Sequence, residues 1–349
     1  MLVSEIPALR SYFHPVARCT DVADDPVRVE LFATGVVLWR PTPDGPISAA
    51  VDECPHRAAR LSQGWLSEPD SDGIRCVVCP YHGWEYAADG ACTKIPQNPP
   101  DLPIPSRAHL DPVHCEEHYG LVWLALDEPC APVPDLPAAS DPDFELRIEF
   151  VEEWDASAPR IVDNSLDIAH VAWVHRGTIG DPGQSELSPF TVERHDHGLT
   201  FHLQYHTRLD DVQRRNLGID DEFATRDTWV DLIQPLVFAA RLCYPNGVEH
   251  VLFKGATPID DHRSVFWQLS ARNDRPDEER WATIIGMDRA VTNEDRPILE
   301  GIRSDFPVTV SDEIHTRSDR MTVEYRRLFG ELAGRSDVSP NRRVPLSIV

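Results

Sequence analysis

Cys54-Pro55-His56-Arg57 and, further along, Cys79-Pro80-Tyr81-His82-Gly83-Trp84 are the two stretches from which the rest of the chain is read. Each carries one thiol and one imidazole at near-identical local spacing. Together they can give two thiolates to one iron and two imidazoles to its neighbour, the mixed ligand pattern of a [2Fe–2S] centre. Thiolates hold an iron ferric and neutral imidazoles compensate less charge, so the histidine-bound iron is the one reduced, at a potential of about −150 to +300 mV. Proline after each cysteine and Gly83 after His82 suit two tight loops gripping a cluster, with backbone N–H groups aimed at sulfur. A Cys2His2 zinc site, or a knuckle built on Cys76 and Cys79, is the competing reading. Zinc fingers keep ligands of one type together, whereas each pair here is mixed, and Cys76 reads as a small packed strand residue.

The second constellation is Asn164-Ser165-Leu166-Asp167-Ile168-Ala169-His170-Val171-Ala172-Trp173-Val174-His175. Two histidines and a carboxylate interrupt a run that is otherwise apolar and helix-compatible, and without partners each buried group would cost several kcal/mol. A metal ion supplies the partner. His170 and His175 are well separated on an ideal helix, so both reach one ion only where the helix distorts or ends; Gly177 is a candidate stop. Two histidines and one carboxylate make the facial triad of a non-haem Fe(II) oxygenase, which leaves positions for dioxygen and substrate. The third ligand must fold back from a distant segment, Thr292-Asn293-Glu294-Asp295-Arg296-Pro297-Ile298-Leu299-Glu300, where Asp295 is the choice and Glu294 the reserve. Charges on such a late helix are more often only its solvated face. Pro297 would remove a helical hydrogen bond, which predicts a local departure from the helix.

With these motifs in view, the chain resembles the large subunit of a Rieske non-haem iron oxygenase. The likeness runs from Tyr12-Phe13-His14-Pro15-Val16-Ala17 through Tyr119-Gly120-Leu121-Val122-Trp123-Leu124 to the C-terminal helix. Within that family it is similar to the dicamba, vanillate and saxitoxin-pathway oxygenases, the last through Asp163-Asn164-Ser165-Leu166-Asp167 and Glu313-Ile314-His315-Thr316-Arg317 with the residues that follow. The resemblance implies cluster ligation by Cys54, His56, Cys79 and His82, and iron ligation by His170, His175 and Asp295. It implies that Asp167 and Asn164 are the catalytic residues beside the iron, with Asp167 linking His170 to the partner subunit's His82. It also implies a head-to-tail homotrimer and electrons from NAD(P)H through a ferredoxin or flavin reductase. Dioxygen is then the cosubstrate, and the reaction is hydroxylation or oxidative demethylation of a small natural-product or aromatic substrate. The rival is a Rieske electron-transfer protein with a non-catalytic ligand-binding domain. The gap between the cluster loops exceeds the family's usual length by about six residues, a surplus that fits residues 68–73 as a solvent-facing tip.

A length of 349 residues suits two domains. The proline-laden stretch 127–137 can continue neither strand nor helix and sets the boundary. The expected fold class is α+β. Residues 1–130 form an all-β Rieske [2Fe–2S] domain. Residues 131–349 form a catalytic domain with an antiparallel sheet drawn from 199–205, 229–233, 248–254 and 264–269, and helices over 278–302 and 319–332. The resemblance implies the helix-grip, START-like version of that domain. Its pocket is expected among Trp173, Trp229, Leu232, Ile233, Leu236 and Phe238. No apolar run approaches ~18 residues and none looks like a signal peptide, which reads as a cytoplasmic protein. Of eight cysteines two are claimed as ligands, and free thiols suit a reducing compartment. A formal charge of −25 argues against nucleic acid and against anionic membranes. Arg57, Arg60, Arg75 and Lys94 lie near the cluster loops in sequence and predict a positive rim where an acidic ferredoxin or reductase docks.

Overall fold

Strand Thr34–Trp39 shows how the N-terminal part is built, because it feeds two cores from its two faces. Side chains alternate across a strand. Val36 and Leu38 pack with Val22, Leu31, Val122 and Leu124, while Val37 and Trp39 pack with Cys54, Leu61, Val77, Cys79, Tyr86 and Leu110. The second core thus contains both cysteines expected to be ligands. In the computed structural model, which describes residues 1–99 and 101–335, this unit spans Arg10–Val133. It consists of three small antiparallel sheets, of three, three and four strands. Residues 68–74 are exposed, with the chain reversing at Gly73 (φ +80°).

The other unit comprises Met1–Leu9 and the chain from Pro134 onward. The N-terminal segment is tied to it by Met1, whose ammonium donates to Phe306 O at 3.0 Å, and by Ser4, which bonds Asp261. Residues 336–349 of the expected catalytic domain lie outside the described residues. The unit is organised on a seven-stranded antiparallel sheet. Its strands are β1 (Glu145–Trp154), β2 (Val192–His195), β3 (Gly198–Arg208), β4 (Phe223–Gln234), β5 (Val237–Cys243), β6 (Glu249–Pro258) and β7 (Ser264–Arg272). The order is β1-β7-β6-β5-β4-β3-β2, a meander whose last strand returns beside its first. The sequence signalled β3, β4, β6 and β7. It did not signal β1, whose charges break the apolar alternation, nor the short β2 and β5. Between Ile148 and Phe150 the β1–β7 register shifts, so Glu149 is the extra residue of a bulge and is buried.

Four helices matter for the site: α1 (Ala158–Leu166), α2 (Val171–Val174), α3 (Glu278–Leu299) and α4 (Arg320–Leu332). Helix α1 packs on β6 and β7, α3 on β1, and α4 on β3 and α1. Asp277 caps α3 by accepting from Arg280 N. The expected local break at Pro297 is not seen: α3 continues to Leu299. Pro297 stands in the last turn, where a single backbone bond is forfeited and no further turn is disrupted.

Candidate metal centres

The two cluster loops are copies of one turn. Cys54 N donates to Ala59 O at 2.9 Å and Ala58 N to Cys54 O at 2.8 Å; in the second loop Cys79 N donates to Trp84 O and Gly83 N to Cys79 O, both at 2.9 Å. Ala58 and Gly83, at matching places, both have positive φ (56° and 70°). The turns bring His56 and His82 together with ring centroids 4.5 Å apart. Each ring buries an Nδ1 that has no hydrogen-bond partner. Cys54 and Cys79 are both 1% exposed, and burial pushes the Cys79 thiol up. Tyr86 Oη lies 3.2 Å from Cys54 Sγ, and Trp84 stacks on His56 at 4.4 Å with planes 6° apart. Neither contact was evident in the sequence.

Two orphaned imidazole nitrogens and two buried thiols are donor groups that call for a metal, since buried polar atoms are otherwise satisfied. A single tetrahedral zinc would need all donors about 3.3–3.8 Å apart, given bonds of about 2.0–2.3 Å. Among the described residues, the groups of ligating side chains that close to within 4.8 Å contain neither cysteine. The wider spread fits a two-metal cluster. Around the loops Lys94 pairs with Glu85 at 2.7 Å, and Arg75 donates to Arg40 O and faces Asp24. Arg57 and Arg60 stay exposed.

The second centre forms where a helix fails. Helix α1 ends at Leu166, and Asp167 Oδ1 accepts from Ala169 N at 2.8 Å in the bend that follows. Helix α2 is then a single turn with His170 at its N-cap and His175 at its C-cap. The stop is thus His175 itself and not Gly177. The arrangement lets both rings face one point: His170 Nε2 and His175 Nε2 are 3.2 Å apart, and Asp295 Oδ1 from α3 is 3.5 Å from each. These edges match one face of a coordination polyhedron with bonds of about 2.1 Å, for which octahedral and tetrahedral edges are about 3.0 and 3.4 Å. Burial lowers the His170 pKa to about 4, against the pull of Asp295, and also lowers that of His175. Both imidazoles are therefore neutral, the ligating form.

The surroundings hold these groups in place. Glu294 Oε2 accepts from His175 Nδ1 and from Thr178 Oγ1, both at 2.8 Å. Glu294, the reserve ligand, is therefore the outer partner that fixes the His175 tautomer. Asn164 stands beside the Asp295 carboxylate and favours its charged form, against the burial that raises it. Asp167 Oδ2 is 3.9 Å from His170 Nδ1, a nitrogen that is buried and unbonded; burial pushes the Asp167 carboxyl up to about 6. The expected pocket residues separate: Leu232, Leu236 and Phe238 are core, while Trp173 and Trp229 are 56% and 47% exposed.

Comparison with known proteins matches each part of the chain to a family model. Residues 12–115 match the Rieske [2Fe–2S] domain, and residues 154–335 match the vanillate O-demethylase oxygenase C-terminal domain. Methylxanthine N1-demethylase NdmA of Pseudomonas putida is 30% identical over 93% of this chain and 89% of its own length. The structure of Pseudomonas putida NdmA with caffeine superposes with a TM-score of 0.82 at 28% identity, covering 95% of this chain and 93% of that one. Dicamba monooxygenase bound to dicamba shares the fold, with a TM-score of 0.79 at 20% identity over 93% of this chain and 98% of that one. The chain therefore belongs to the Rieske oxygenases, with a [2Fe–2S] domain followed by a catalytic domain of the vanillate O-demethylase type.

Proposed function

We propose that this Rieske oxygenase is a terminal oxygenase that hydroxylates or oxidatively demethylates a small organic substrate. In this reading a cluster is held by Cys54, His56, Cys79 and His82, and a mononuclear iron by His170, His175 and Asp295. The observation that carries it is the convergence of three ligating atoms, His170 Nε2, His175 Nε2 and Asp295 Oδ1, at 3.2–3.5 Å, with the remaining sides of the site free of further protein ligands among the described residues. When bound, the cluster stores single electrons and the iron activates dioxygen. Overall, a C–H bond, dioxygen, two electrons and two protons become an alcohol and water; from an N- or O-methyl group, the hydroxymethyl product sheds formaldehyde. Methylxanthine demethylases among the relatives make the demethylating branch the favoured one.

The chain's own residues prepare the chemistry. Glu294 keeps the proton of His175 on Nδ1, leaving Nε2 open. Asn164, beside Asp295, favours the charged carboxylate. Asp167 faces His170 Nδ1 and, in a homotrimer, would join it to the partner subunit's His82. The exposed Arg57 and Arg60 support docking of an acidic ferredoxin or reductase. Charge reversal in Arg60→Glu is expected to slow reductase-coupled turnover and leave a single turnover of chemically prereduced enzyme unchanged; equal reductase-coupled rates would remove that docking site.

The decisive test is His170→Ala. Iron should fall from three to two per chain, the rhombic electron paramagnetic resonance signal of the reduced cluster should persist, and substrate oxidation should stop. Wild-type protein that holds only two irons per chain and passes electrons as well after His170→Ala as before would favour the rival, an electron-transfer protein whose second domain only binds ligands.

A further inference from the structure

The two imidazoles that face one point are held unequally. His175 closes α2, and its carbonyl accepts from Thr178 N at 2.9 Å and from Gly180 N at 2.8 Å, so residues 176–180 fold back against the helix they follow. Only glycine fits at 180, where a Cβ would stand 2.2 Å from Val171 O and 3.1 Å from Ala172 O. The returning chain is tied down on its other side. There Ile179 O accepts from Arg208 N at 3.1 Å and from Thr207 Oγ1 at 3.3 Å, both at the end of β3.

This clasp presents one hydroxyl to the outer side of His175. Thr178 Oγ1 lies 2.8 Å from Glu294 Oε2 and 3.2 Å from His175 O, and its single proton goes to the nearer acceptor. The same Glu294 oxygen accepts from His175 Nδ1 at 2.8 Å. One carboxylate oxygen therefore takes two donors, one from the ring and one from the clasp that carries the ring's own backbone. Gly177 leaves the room that the other oxygen needs, since a Cβ there would come within 3.3 Å of Glu294 Oε1. Glu294 and Asp295 are consecutive on α3 and address the ring from its two sides, Glu294 at Nδ1 and Asp295 3.5 Å from Nε2.

His170 has no such hold. Its Nδ1 is buried without a hydrogen-bond partner, and Asp167 Oδ2 stands 3.9 Å away, beyond hydrogen-bond reach. We infer that Glu294 and Thr178 are positioning residues that make His175 the fixed anchor of the mononuclear iron, leaving His170 to be held by the iron itself. A carboxylate on Nδ1–H draws on that proton and makes Nε2 the stronger donor to a metal, and outer partners of this kind change metal affinity by about 10–100-fold. Iron that leaves the site then parts from His170 first and from His175 last. This rests on the oxygenase reading of the preceding section.

The test is transfer of iron from anaerobic, reduced holoenzyme to a ferrous chelator, followed while the cluster absorbance stays constant so that only the mononuclear iron is counted. Glu294→Ala should release it about 10–100-fold faster than wild type, and Glu294→Gln, which keeps an acceptor oxygen without the charge, should fall between the two. Thr178→Val should speed release by less than Glu294→Ala, and Thr178→Ser, which restores the hydroxyl, should return the rate to that of wild type. Asp167→Asn, which removes no hydrogen bond to His170, should release iron as slowly as wild type. With cobalt(II) in the site, the ligand-field bands should move in Glu294→Gln and stay in place in Thr178→Ser and Asp167→Asn. Cluster spectra and unfolding midpoints certify that the variants fold; where Glu294→Ala does not, Glu294→Gln and the Thr178 pair carry the test. Wild-type rates in the Glu294 variants or in Thr178→Val, no recovery in Thr178→Ser, or release from Asp167→Asn as fast as from Glu294→Ala would each overturn the inference. Wild-type protein with no third iron to release removes the oxygenase reading, whereas iron held equally by wild type and the Glu294 variants removes this inference alone.

Discussion

Ala58 and Gly83 occupy equivalent places in the two cluster loops, yet only one is the residue that positive φ favours. An L-residue there is strained by about 1–2 kcal/mol. Gly83→Ala should cost that amount, with its new Cβ 3.3 Å from Pro96 Cγ. Ala58→Gly should be nearly neutral, because relief of strain offsets the extra freedom of glycine in the unfolded chain. Denaturant midpoints followed by cluster absorption check this; an equal loss in both variants would mean the loops are not equivalent. The candidate ligand residues of these loops stand out in the sequence because thiol and imidazole recur at fixed spacing, but Ala58 gives no sign there of its conformation. Spacing could not separate Glu294 from Asp295 either. Neighbours on a helix point about 100° apart, and only the packed helix shows which one faces the histidines. Trp173 and Trp229, expected along a pocket, are largely exposed, a placement that sequence alone does not give because bulky apolar residues signal burial only when their surroundings are known.

At the scale of elements, the site depends on how α1 and α3 are tied down. Arg326 on α4 is buried, donates to both oxygens of Asp163 on α1 at 2.6 and 2.9 Å, and reaches Glu313 at 2.6 Å. That clamp fixes the end of α1 from which Asn164 and Asp167 project. The resemblance had drawn attention to the run that holds Glu313 and Arg326, but the ion network needed coordinates. At the far end, Asp274 accepts from Arg272 Nε at 2.9 Å and from an amino group of the same side chain at 2.8 Å, and it also pairs with Arg280 near the start of α3. Burial alone would raise the Asp274 carboxyl, yet the two guanidinium groups hold it below its ordinary value. A depressed acid stabilises the fold above its unfolded pKa of about 4, and that contribution is lost as pH falls through the lower folded value. Asp274→Asn should therefore cost about 2–3 kcal/mol near neutrality, with the gap to wild type closing in the acid range below about pH 4. A gap independent of pH in unfolding titrations would show that packing, rather than charge, makes the tie.

At the scale of the whole molecule, each metal centre has exposed apolar residues close by in sequence. Tyr81, next to His82, is 64% exposed, and Trp173, between His170 and His175, is 56% exposed. A head-to-tail ring of identical copies, as proposed, is one way to cover such residues. The proposed homotrimer makes a sharper claim than its mass: electrons held by one copy serve the iron of the next. Neither His82→Ala, with a damaged cluster, nor His170→Ala, with no mononuclear iron, should turn over alone. Coexpressed in equal amounts, they should regain activity. In a random ring each site has its own triad intact in one half of cases and its neighbour's cluster intact in one half, so about one quarter of sites work. Transfer confined within a chain predicts no recovery at any mixing ratio, since every chain in the mixture lacks one of its two centres. Activity near one quarter of wild type, in material whose iron content confirms both populations, therefore separates transfer between chains from transfer within a chain.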